Sequence, residues 1–229
     1  FVNGDIQGSA STSSFIGALN NSGTWSNPTV GTKTSTSTQL TGNTAFGDFY
    51  LGEVGTPTVT TVAADNITTS GARLNGTIND NGSATTASFQ YGLTTGYGST
   101  ASGGSLSAGA GSSSVNATIT SLSVNTQYNF RAKGVNAIGT TNGSNLTFYT
   151  LANAPNTPTL NNETNTTIDV TLANTDGNPA ITQYVIRVSD GTTTQYVQAN
   201  GSLGATAIWQ TISTWNPSGT PVTVTGLAS

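Results

Sequence analysis

The chain has 229 residues and a formal net charge of −4, and charged residues make up only 6% of it. It contains no Cys, His or Met, which excludes disulfide bridges, zinc sites built on Cys or His, and Ser-His or Cys-His nucleophiles. Five scattered basic residues argue against a nucleic-acid partner, and the apolar stretches are too short for insertion into a membrane.

The polar surface is built from Thr, Ser and Asn rather than from charged residues. Thr is β-branched and suits the pleated surface of a sheet. Short runs of alternating apolar and polar residues, separated by Gly, Asn and Asp, are typical of many short strands joined by tight turns. The sequence therefore predicts an all-β fold of tandem antiparallel β-sandwiches with little or no helix. The uncharged surface favours an extracellular, secreted or cell-surface location.

Residues 1–55 have few large apolar groups for an independent core. Trp25 lies between Ser/Thr-rich stretches, and the run FGDFYLGE at 46–53 follows them. We interpret this segment as the C-terminal strands of an incomplete β-domain.

Residues 56–151 alternate with period two, which predicts strands with one buried face. The inward positions are Ala72, Leu74, Gly76, Ile78, Phe89, Tyr91, Val115, Ala117, Ile119, Tyr128, Phe130, Ala132, Gly134, Leu146 and Phe148. Between them, the Gly/Ser/Ala-rich stretch 103–114 predicts a flexible loop. Strands at this spacing, with no helical period between them, predict a sandwich of two antiparallel sheets.

The stretch LSVNTQY at 122–128 resembles the tyrosine corner of bacterial fibronectin type III domains. The stretches FQYG at 89–92 and RAKGVNAIG at 131–139 are similar to the same family. The resemblance implies that Tyr128 opens strand F and that its hydroxyl bonds to nearby backbone. Asn125 stands where the family usually has Pro.

Residues 152–229 begin with APNTP at 154–158, a linker stiffened by two prolines. Period-two alternation follows at Ile168, Val170, Leu172, Tyr184, Ile186 and Val188. Asp190-Gly191 predicts a hairpin turn. The stretch from Trp209 to Trp215 is ambiguous, since Ile208 and Ile212 have helical spacing while the two Trp residues share strand parity, and we favour a strand.

This segment also resembles a fibronectin type III domain, with Leu227 in the place of the corner Leu. In that family strands F and G would follow, so the resemblance implies a second sandwich truncated before them. Two explanations stay open. The chain could be a window on a longer protein, or a neighbouring chain could supply the missing strands by exchange.

The acidic residues are spread singly, mostly at turns such as Asp80, Asp176 and Asp190. Asp favours turns because its side chain bonds to nearby backbone. Asp176 with Asn178, and Asp80 with Asn81, are the local candidates for calcium ligation. The turn interpretation is favoured for both pairs. We therefore expect no catalytic, cofactor-binding or metal site, and no cofactor.

The sequence offers two kinds of candidate surface site, a sugar-binding aromatic platform and glycan acceptors. An aromatic platform for sugar could form from Trp209, Trp215 and Tyr196, although aromatic residues also pack in cores. Asn-x-Ser/Thr sequons occur at several positions and make these asparagines candidate glycan acceptors. Among them are Asn66, Asn75, Asn116, Asn145 and Asn165.

These observations favour a non-enzymatic structural segment, such as a stalk or filament repeat of a large extracellular surface or fibre protein. Its expected partners are other copies of itself or neighbouring domains of the same protein. The alternative is a carbohydrate- or surface-binding adhesin module, or a spacer of a secreted polysaccharide-degrading enzyme, with cell-surface polysaccharide as the partner.

Overall fold

The computed structural model describes residues 15–21, 24–26, 29–33, 38–41 and 48–227. These residues form two compact units. The first contains the described residues up to Asn66, together with Ala72–Ile119 and Tyr128–Phe148. The second contains Ile67–Gly71, Thr120–Gln127 and the described residues from Tyr149 onward. The domain limits at 55 and 151, and the truncation of the last sandwich before strands F and G, stay predictions.

The N-terminal strands form two small antiparallel sheets. The first sheet has the order β2–β1–β5, with β1 at Phe15–Asn21, β2 at Thr24–Ser26 and β5 at Asp48–Glu53. The second is a hairpin of β3, Thr29–Lys33, and β4, Thr38–Thr41. Trp25 lies in β2, whereas Phe46 and Gly47 of the predicted closing run lie outside the described residues.

The first unit also contains a sandwich of two antiparallel sheets. One has the order β10–β7–β6, with β6 at Thr58–Asp65, β7 at Ala72–Asn79 and β10 at Ser112–Ile119. The other has the order β12–β11–β8–β9, and β13 also pairs with β11. Its strands are β8 at Thr85–Gly92, β9 at Ser99–Leu106, β11 at Gln127–Val135, β12 at Thr140–Asn142 and β13 at Leu146–Tyr149.

The core of this sandwich is built from the alternating positions that the sequence predicts. Leu74, Ile78, Phe89 and Phe130 are completely buried, and the Phe130 ring meets Phe148 edge-on at 5.8 Å between centroids. Each large apolar side chain removed from water contributes about 1.5–3 kcal/mol. The fold class is therefore confirmed as an all-β arrangement of antiparallel sheets.

The Gly/Ser/Ala-rich stretch at 103–114 is a loop only at 107–111, between β9 and β10. Gly103 and Gly104 belong to β9, which pairs along β8 with a register shift between Ala87 and Ser88. A Cβ on Gly103 would lie 3.1 Å from the Phe89 ring. The loop prediction is wrong at this end because small residues let the strand approach the core closely.

The start of β11 agrees with the tyrosine-corner pattern. This strand begins at Gln127, and the side chain of Tyr128 is buried at its start. Asn125, where Pro is usual, has a φ of 43°. Pro cannot adopt that angle, because its ring holds φ near −65°.

The second unit contains a three-stranded sheet and shorter strands. The sheet order is β14–β15–β21, with β14 at Thr159–Asn161, β15 at Thr167–Thr171 and β21 at Val222–Thr225. A second set has the order β17–β18–β19, with β17 at Arg187–Ser189, β18 at Thr194–Val197 and β19 at Leu203–Gly204. Finally, β16 at Gln183–Tyr184 pairs with β20 at Gln210–Thr211.

The predicted strand through 209–215 is wrong for its second half. Ile212–Trp215 is a single helical turn, α1, and a short 3-10 turn follows at Pro217–Gly219. The hydroxyl of Thr211 caps the turn by accepting a hydrogen bond from the Thr214 N–H at 3.3 Å. Neither helical segment in the described part of the chain could cross a membrane.

Candidate binding cleft

The second unit has a cleft of about 420 Å³. Two stretches, at 152–158 and 182–187, and three single residues line it. The lining residues are Ala152, Asn153, Pro155, Asn156, Pro158, Leu172, Asn178, Thr182, Gln183, Tyr184, Val185, Ile186, Arg187 and Trp209. Its volume lies within the range of about 300–1,000 Å³ of clefts that bind small molecules.

One wall of the cleft follows a chain segment that contains parts of two short strands. Gln183 to Arg187 are consecutive and all line the cleft, with Gln183 and Tyr184 in β16 and Arg187 at the start of β17. Tyr184 and Ile186 point into the core, while Gln183 and Arg187 are exposed. The cleft is therefore bordered by buried and exposed residues of the same segment.

The opposite lining contains apolar groups that are open to solvent. Trp209 is 59% exposed, and Pro155 and Pro158 are also exposed. Large exposed aromatic residues beside a concave surface are common in binding sites, because they bury much apolar area on contact.

A polar network lies beside the cleft and fixes Tyr184. The Tyr184 hydroxyl donates to Asp176 Oδ2 at 2.6 Å and accepts from the Asn178 side-chain amide at 3.1 Å. The Asn178 amide oxygen accepts from the Asn153 N–H at 2.8 Å, and Asn153 Nδ2 donates to the Asp176 carbonyl at 2.7 Å. These bonds join the segment before β14 to the turn at 175–179 and to β16.

The network shifts two pKa values in opposite directions. Burial raises the pKa of Tyr184, and its hydrogen bond to the Asp176 carboxylate raises it further. Burial alone would raise the pKa of Asp176, but the hydrogen bonds from Tyr184 and from the Asn178 N–H outweigh it, so the net shift is downward. Asp176 is therefore a carboxylate at neutral pH, and it acts here as a structural acceptor.

The three aromatic residues predicted as a platform do not form one. Trp215 is only 3% exposed and belongs to the core with Val170, Ile186, Val197 and Val224. The Trp215 indole N–H donates to the Tyr184 carbonyl at 2.9 Å. The prediction that Trp215 belongs to a sugar-binding platform is therefore wrong, because a buried and hydrogen-bonded indole cannot stack on a sugar.

The other two aromatic residues differ from each other. Tyr196 lies in β18, is half-buried and does not line the cleft. Trp209 alone of the three offers an exposed ring to the cleft.

The acidic turn residues have backbone partners. Asp80 is fully buried, and its carboxylate accepts from the N–H groups of Gly109 and Gly111 at 2.5 and 2.7 Å. Asp190 accepts from the N–H groups of Thr192 and Thr193 at 2.8 and 2.6 Å. Within the described residues, no three acidic side chains meet in a group that could hold a metal ion.

The candidate glycan acceptors differ in exposure. Asn66, Asn116, Asn145 and Asn165 are exposed, whereas Asn75 is half-buried. The Asn75 side-chain amide donates to the Ala63 carbonyl at 3.0 Å, and that of Asn145 donates to Asn129 Oδ1 at 3.0 Å. Glycosylation at Asn75 or Asn145 would remove these hydrogen bonds, so Asn66, Asn116 and Asn165 are the more accessible of the five.

Sequence reasoning missed the cleft itself. The sequence predicts Pro155 and Pro158 as linker stiffeners and Ile186 as a core position, and Ile186 is indeed buried. The sequence carries one signal that points to Arg187. It is a charged residue at an outward-facing position in a chain with very few charged residues. The remaining lining residues are brought together by tertiary packing, which leaves no local pattern.

Comparison with known proteins gives matches among solved structures only. No protein-family model matches the chain, and no curated protein matches it. The chain is similar to the sensor domain of the anti-sigma factor RsgI4 of Pseudobacteroides cellulosolvens, with 25% identity and a TM-score of 0.35 over 44% of this chain and 99% of that one. It is also similar to the FN1–FN3 domains of chicken CNTN1, with 10% identity and a TM-score of 0.29 over 94% of this chain and 80% of that one.

Proposed function

We propose that this chain is a non-enzymatic structural segment of an extracellular surface or filament protein, built from fibronectin type III-like sandwiches. In this proposal the sandwiches act as rigid beads, and their uncharged faces pack against other copies of the protein. The supporting observation is the outer face of the β10–β7–β6 sheet, which we call the threonine face.

The threonine face consists mainly of short polar residues in register across three strands, with Val62 and Arg73 as the exceptions. Thr60, Thr77 and Ser114 form one row, and Val62, Asn75 and Asn116 form the next. The outer rows are Thr58 with Asn79 and Ser112, and Arg73 with Thr118. Neighbouring strands in a sheet lie about 4.8 Å apart, so hydroxyl and amide groups repeat regularly over the face.

The charge on this face is neutralised within it. The Arg73 guanidinium donates to both carboxylate oxygens of Asp65, at 2.7 and 2.6 Å. A face of hydroxyls and amides costs far less to desolvate than a face of ionised groups, because neutral groups lose less hydration. The geometry therefore supports side-by-side packing of copies through the threonine face.

A charge-insertion experiment tests this proposal. The variants Thr60→Lys and Ser114→Lys place a positive charge in the same row of the threonine face, and Thr95→Lys places one on an exposed turn as the matched control. Sedimentation velocity and negative-stain electron microscopy over a concentration series would follow assembly. We expect the face variants to need at least about tenfold higher concentration to assemble, since like charges across an interface repel.

Thermal denaturation would confirm that all three variants remain folded. The proposal is contradicted if the native chain stays monomeric at every concentration, or if Thr95→Lys impairs assembly as much as the two face variants do.

A further inference from the structure

The five-stranded sheet of the first unit carries basic residues and no acidic ones. Between Asp80 and Glu163 the chain has no Asp or Glu, and its only charged residues there are Arg131 and Lys133. The strands β8, β9, β11, β12 and β13 all lie within that stretch. Arg131 and Lys133 alternate with buried residues of β11, so both lie on the outer face of the sheet. The basic face, as we call this surface, consists of Arg131, Gln90, Thr100, Lys133, Asn142, Ser88 and Ser102.

Arg131 is held in one position by its neighbours. Its Nε–H donates to Gln90 Oε1 at 2.9 Å, and its guanidinium carbon lies 4.7 Å from the centre of the Tyr97 ring. The Tyr97 hydroxyl donates to Asn145 Oδ1 at 3.2 Å. Asn145 Nδ2 in turn donates to Asn129 Oδ1 at 3.0 Å. A guanidinium that is already fixed loses less side-chain entropy when it binds a ligand.

The two outer nitrogens of Arg131 are left for a ligand. The hydrogen bond to Gln90 uses only Nε, and neither Nη1 nor Nη2 has an acceptor among the residues that the structure describes. Arg73 on the other sheet shows the contrast, because its Nε and Nη2 both donate to the Asp65 carboxylate. Paired N–H groups of this kind are the ones with which Arg binds a carboxylate through two parallel hydrogen bonds.

Lys133 adds a second charge at a fixed distance. It lies two residues along β11 from Arg131, which places the two Cα atoms about 6.8 Å apart. In the described part of the chain neither side chain forms an ion pair, whereas Arg73 does. A single small carboxylate bound at Arg131 leaves Lys133 without a counter-charge. A polymer with repeated carboxylates neutralises both charges at once.

We propose that the basic face binds an acidic polysaccharide, a polymer whose sugar units carry carboxylate groups. The Arg131 guanidinium would bind one carboxylate through its two outer nitrogens, and the Lys133 ammonium would bind another. Exposed hydroxyl and amide groups stand beside these charges, and they can donate and accept hydrogen bonds with sugar hydroxyls. They belong to Thr100, Ser102 and Asn142.

The surface fits a sugar polymer better than other polyanions. Nucleic acids are bound through free aromatic rings on a strongly basic surface, whereas the Tyr97 ring is engaged by Arg131 and the chain has a net charge of −4. Anionic membranes attract clusters of about four to eight basic residues, and the basic face has only Arg131 and Lys133. An acidic peptide binds along a strand edge or in side-chain pockets, whereas this surface is the outer face of paired strands.

Isothermal titration calorimetry of the 229-residue chain with polygalacturonate and with alginate tests the proposal. Both polymers consist of sugars with carboxylate groups, and highly methyl-esterified polygalacturonate is the matched neutral probe. The variant Arg131→Gln removes one charge from the basic face. The variant Gln90→Glu keeps Arg131 but gives it an internal carboxylate in place of the amide oxygen at 2.9 Å. As the control, Lys33→Gln removes an equal charge from the β3–β4 hairpin.

We expect the native chain to bind at least one of the two acidic polymers, and to bind the methyl ester at least about tenfold more weakly, which is the effect of losing one charge-assisted hydrogen bond. Arg131→Gln and Gln90→Glu should each weaken binding by a similar factor, whereas Lys33→Gln should leave it nearly unchanged. Added salt should also weaken binding, because it screens exposed charges. Thermal denaturation would confirm that each variant is folded, and NMR shifts of the 129–133 amides would locate the polymer.

Several results would overturn the proposal. Absence of binding to both acidic polymers would do so, as would equal affinity for polygalacturonate and its methyl ester. Equal weakening by Lys33→Gln would mean that only net charge matters and would reject a defined site. If polyglutamate binds as tightly as the sugar polymers and loses as much affinity in Arg131→Gln, the face recognises an acidic protein instead. The basic face and the threonine face lie on different sheets, so this proposal can fail while the lateral-packing proposal stands.

Discussion

The hydroxyl of Tyr184 donates a 2.6 Å hydrogen bond to Oδ2 of Asp176. This bond joins a core aromatic residue to a turn, and Asn178 and Asn153 extend it to the segment that precedes β14. The same residues lie beside the cleft. The shape of the cleft wall therefore depends on a partly buried polar network, whose members share hydrogen-bond partners.

The first prediction concerns this network. Tyr184→Phe should destabilise the second unit by about 1–2 kcal/mol, because it removes the hydroxyl that hydrogen-bonds to Asp176 Oδ2 and to the Asn178 side-chain amide. It should also raise the pKa of Asp176 toward its ordinary value, since the Tyr184 hydroxyl helps to lower it. Urea unfolding and a carboxyl NMR titration measure the two effects.

The matched control for this variant is Tyr196→Phe. The Tyr196 hydroxyl makes no hydrogen bond to another residue that the structure describes, so this change should have little effect. Equal destabilisation by the two variants would mean that the Tyr184–Asp176 bond contributes nothing of its own.

The second prediction concerns pH. The Arg73 guanidinium hydrogen-bonds to Asp65 and lowers the pKa of that carboxyl to about 2, below the value of about 3.9 expected in the unfolded chain. A group with a depressed folded pKa stabilises the fold above its unfolded pKa and loses that contribution as pH falls through the folded value. Stability of the first unit should therefore fall between about pH 4 and pH 2.

NMR titration of Asp65 checks this directly. Arg73→Gln should return the pKa of Asp65 toward about 3.9 and remove most of its pH-dependent contribution to stability. An Asp65 that already titrates near 3.9 in the native chain would show that the ion pair does not form in solution.

The sequence predicted the first unit well where its alternation was strong. Leu74, Ile78, Phe89 and Phe130 are fully buried. Large apolar residues at every second position determine which face of a strand turns toward the core. Gly103 and Gly104 broke that pattern, since their strand identity comes from pairing with β8 and from close packing on Phe89. Neither constraint leaves a local signal.

The second unit was harder to predict for a different reason. Its strands are short, and the 208–215 stretch satisfies both helix and strand periodicity over only two turns. The Thr211 cap and the buried Trp215 determine the helical outcome. The cleft is lined by residues from separate segments of the second unit, and their meeting is a property of tertiary packing rather than of residue order.

The third prediction concerns the β8–β9 hairpin. A Cβ on Gly92 would overlap the carbonyl oxygen of Tyr97, which is backbone and cannot rotate away. Gly92→Ala should therefore destabilise the first unit by about 3 kcal/mol, as overpacking does at sites that cannot relax. Gly96→Ala is the control, because its Cβ would meet Thr94 Oγ1 at an ordinary 3.4 Å. Thermal denaturation of both variants would test the contrast, and a stable Gly92→Ala protein would contradict the hairpin geometry.

The last prediction separates the two Trp residues of the second unit. Trp215→Phe removes buried volume and the indole hydrogen bond to the Tyr184 carbonyl, so it should cost about 2–3 kcal/mol. Trp209→Phe should change stability by less than about 0.5 kcal/mol, because the ring is largely exposed. Both variants are made in a Trp25→Phe background, which leaves one Trp in each chain. In the Trp209→Phe chain acrylamide should quench Trp215 weakly, whereas Trp209 should be quenched strongly in the Trp215→Phe chain. If Trp215 is quenched as readily as Trp209, its indole is not part of the core, and an aromatic sugar platform regains its second ring.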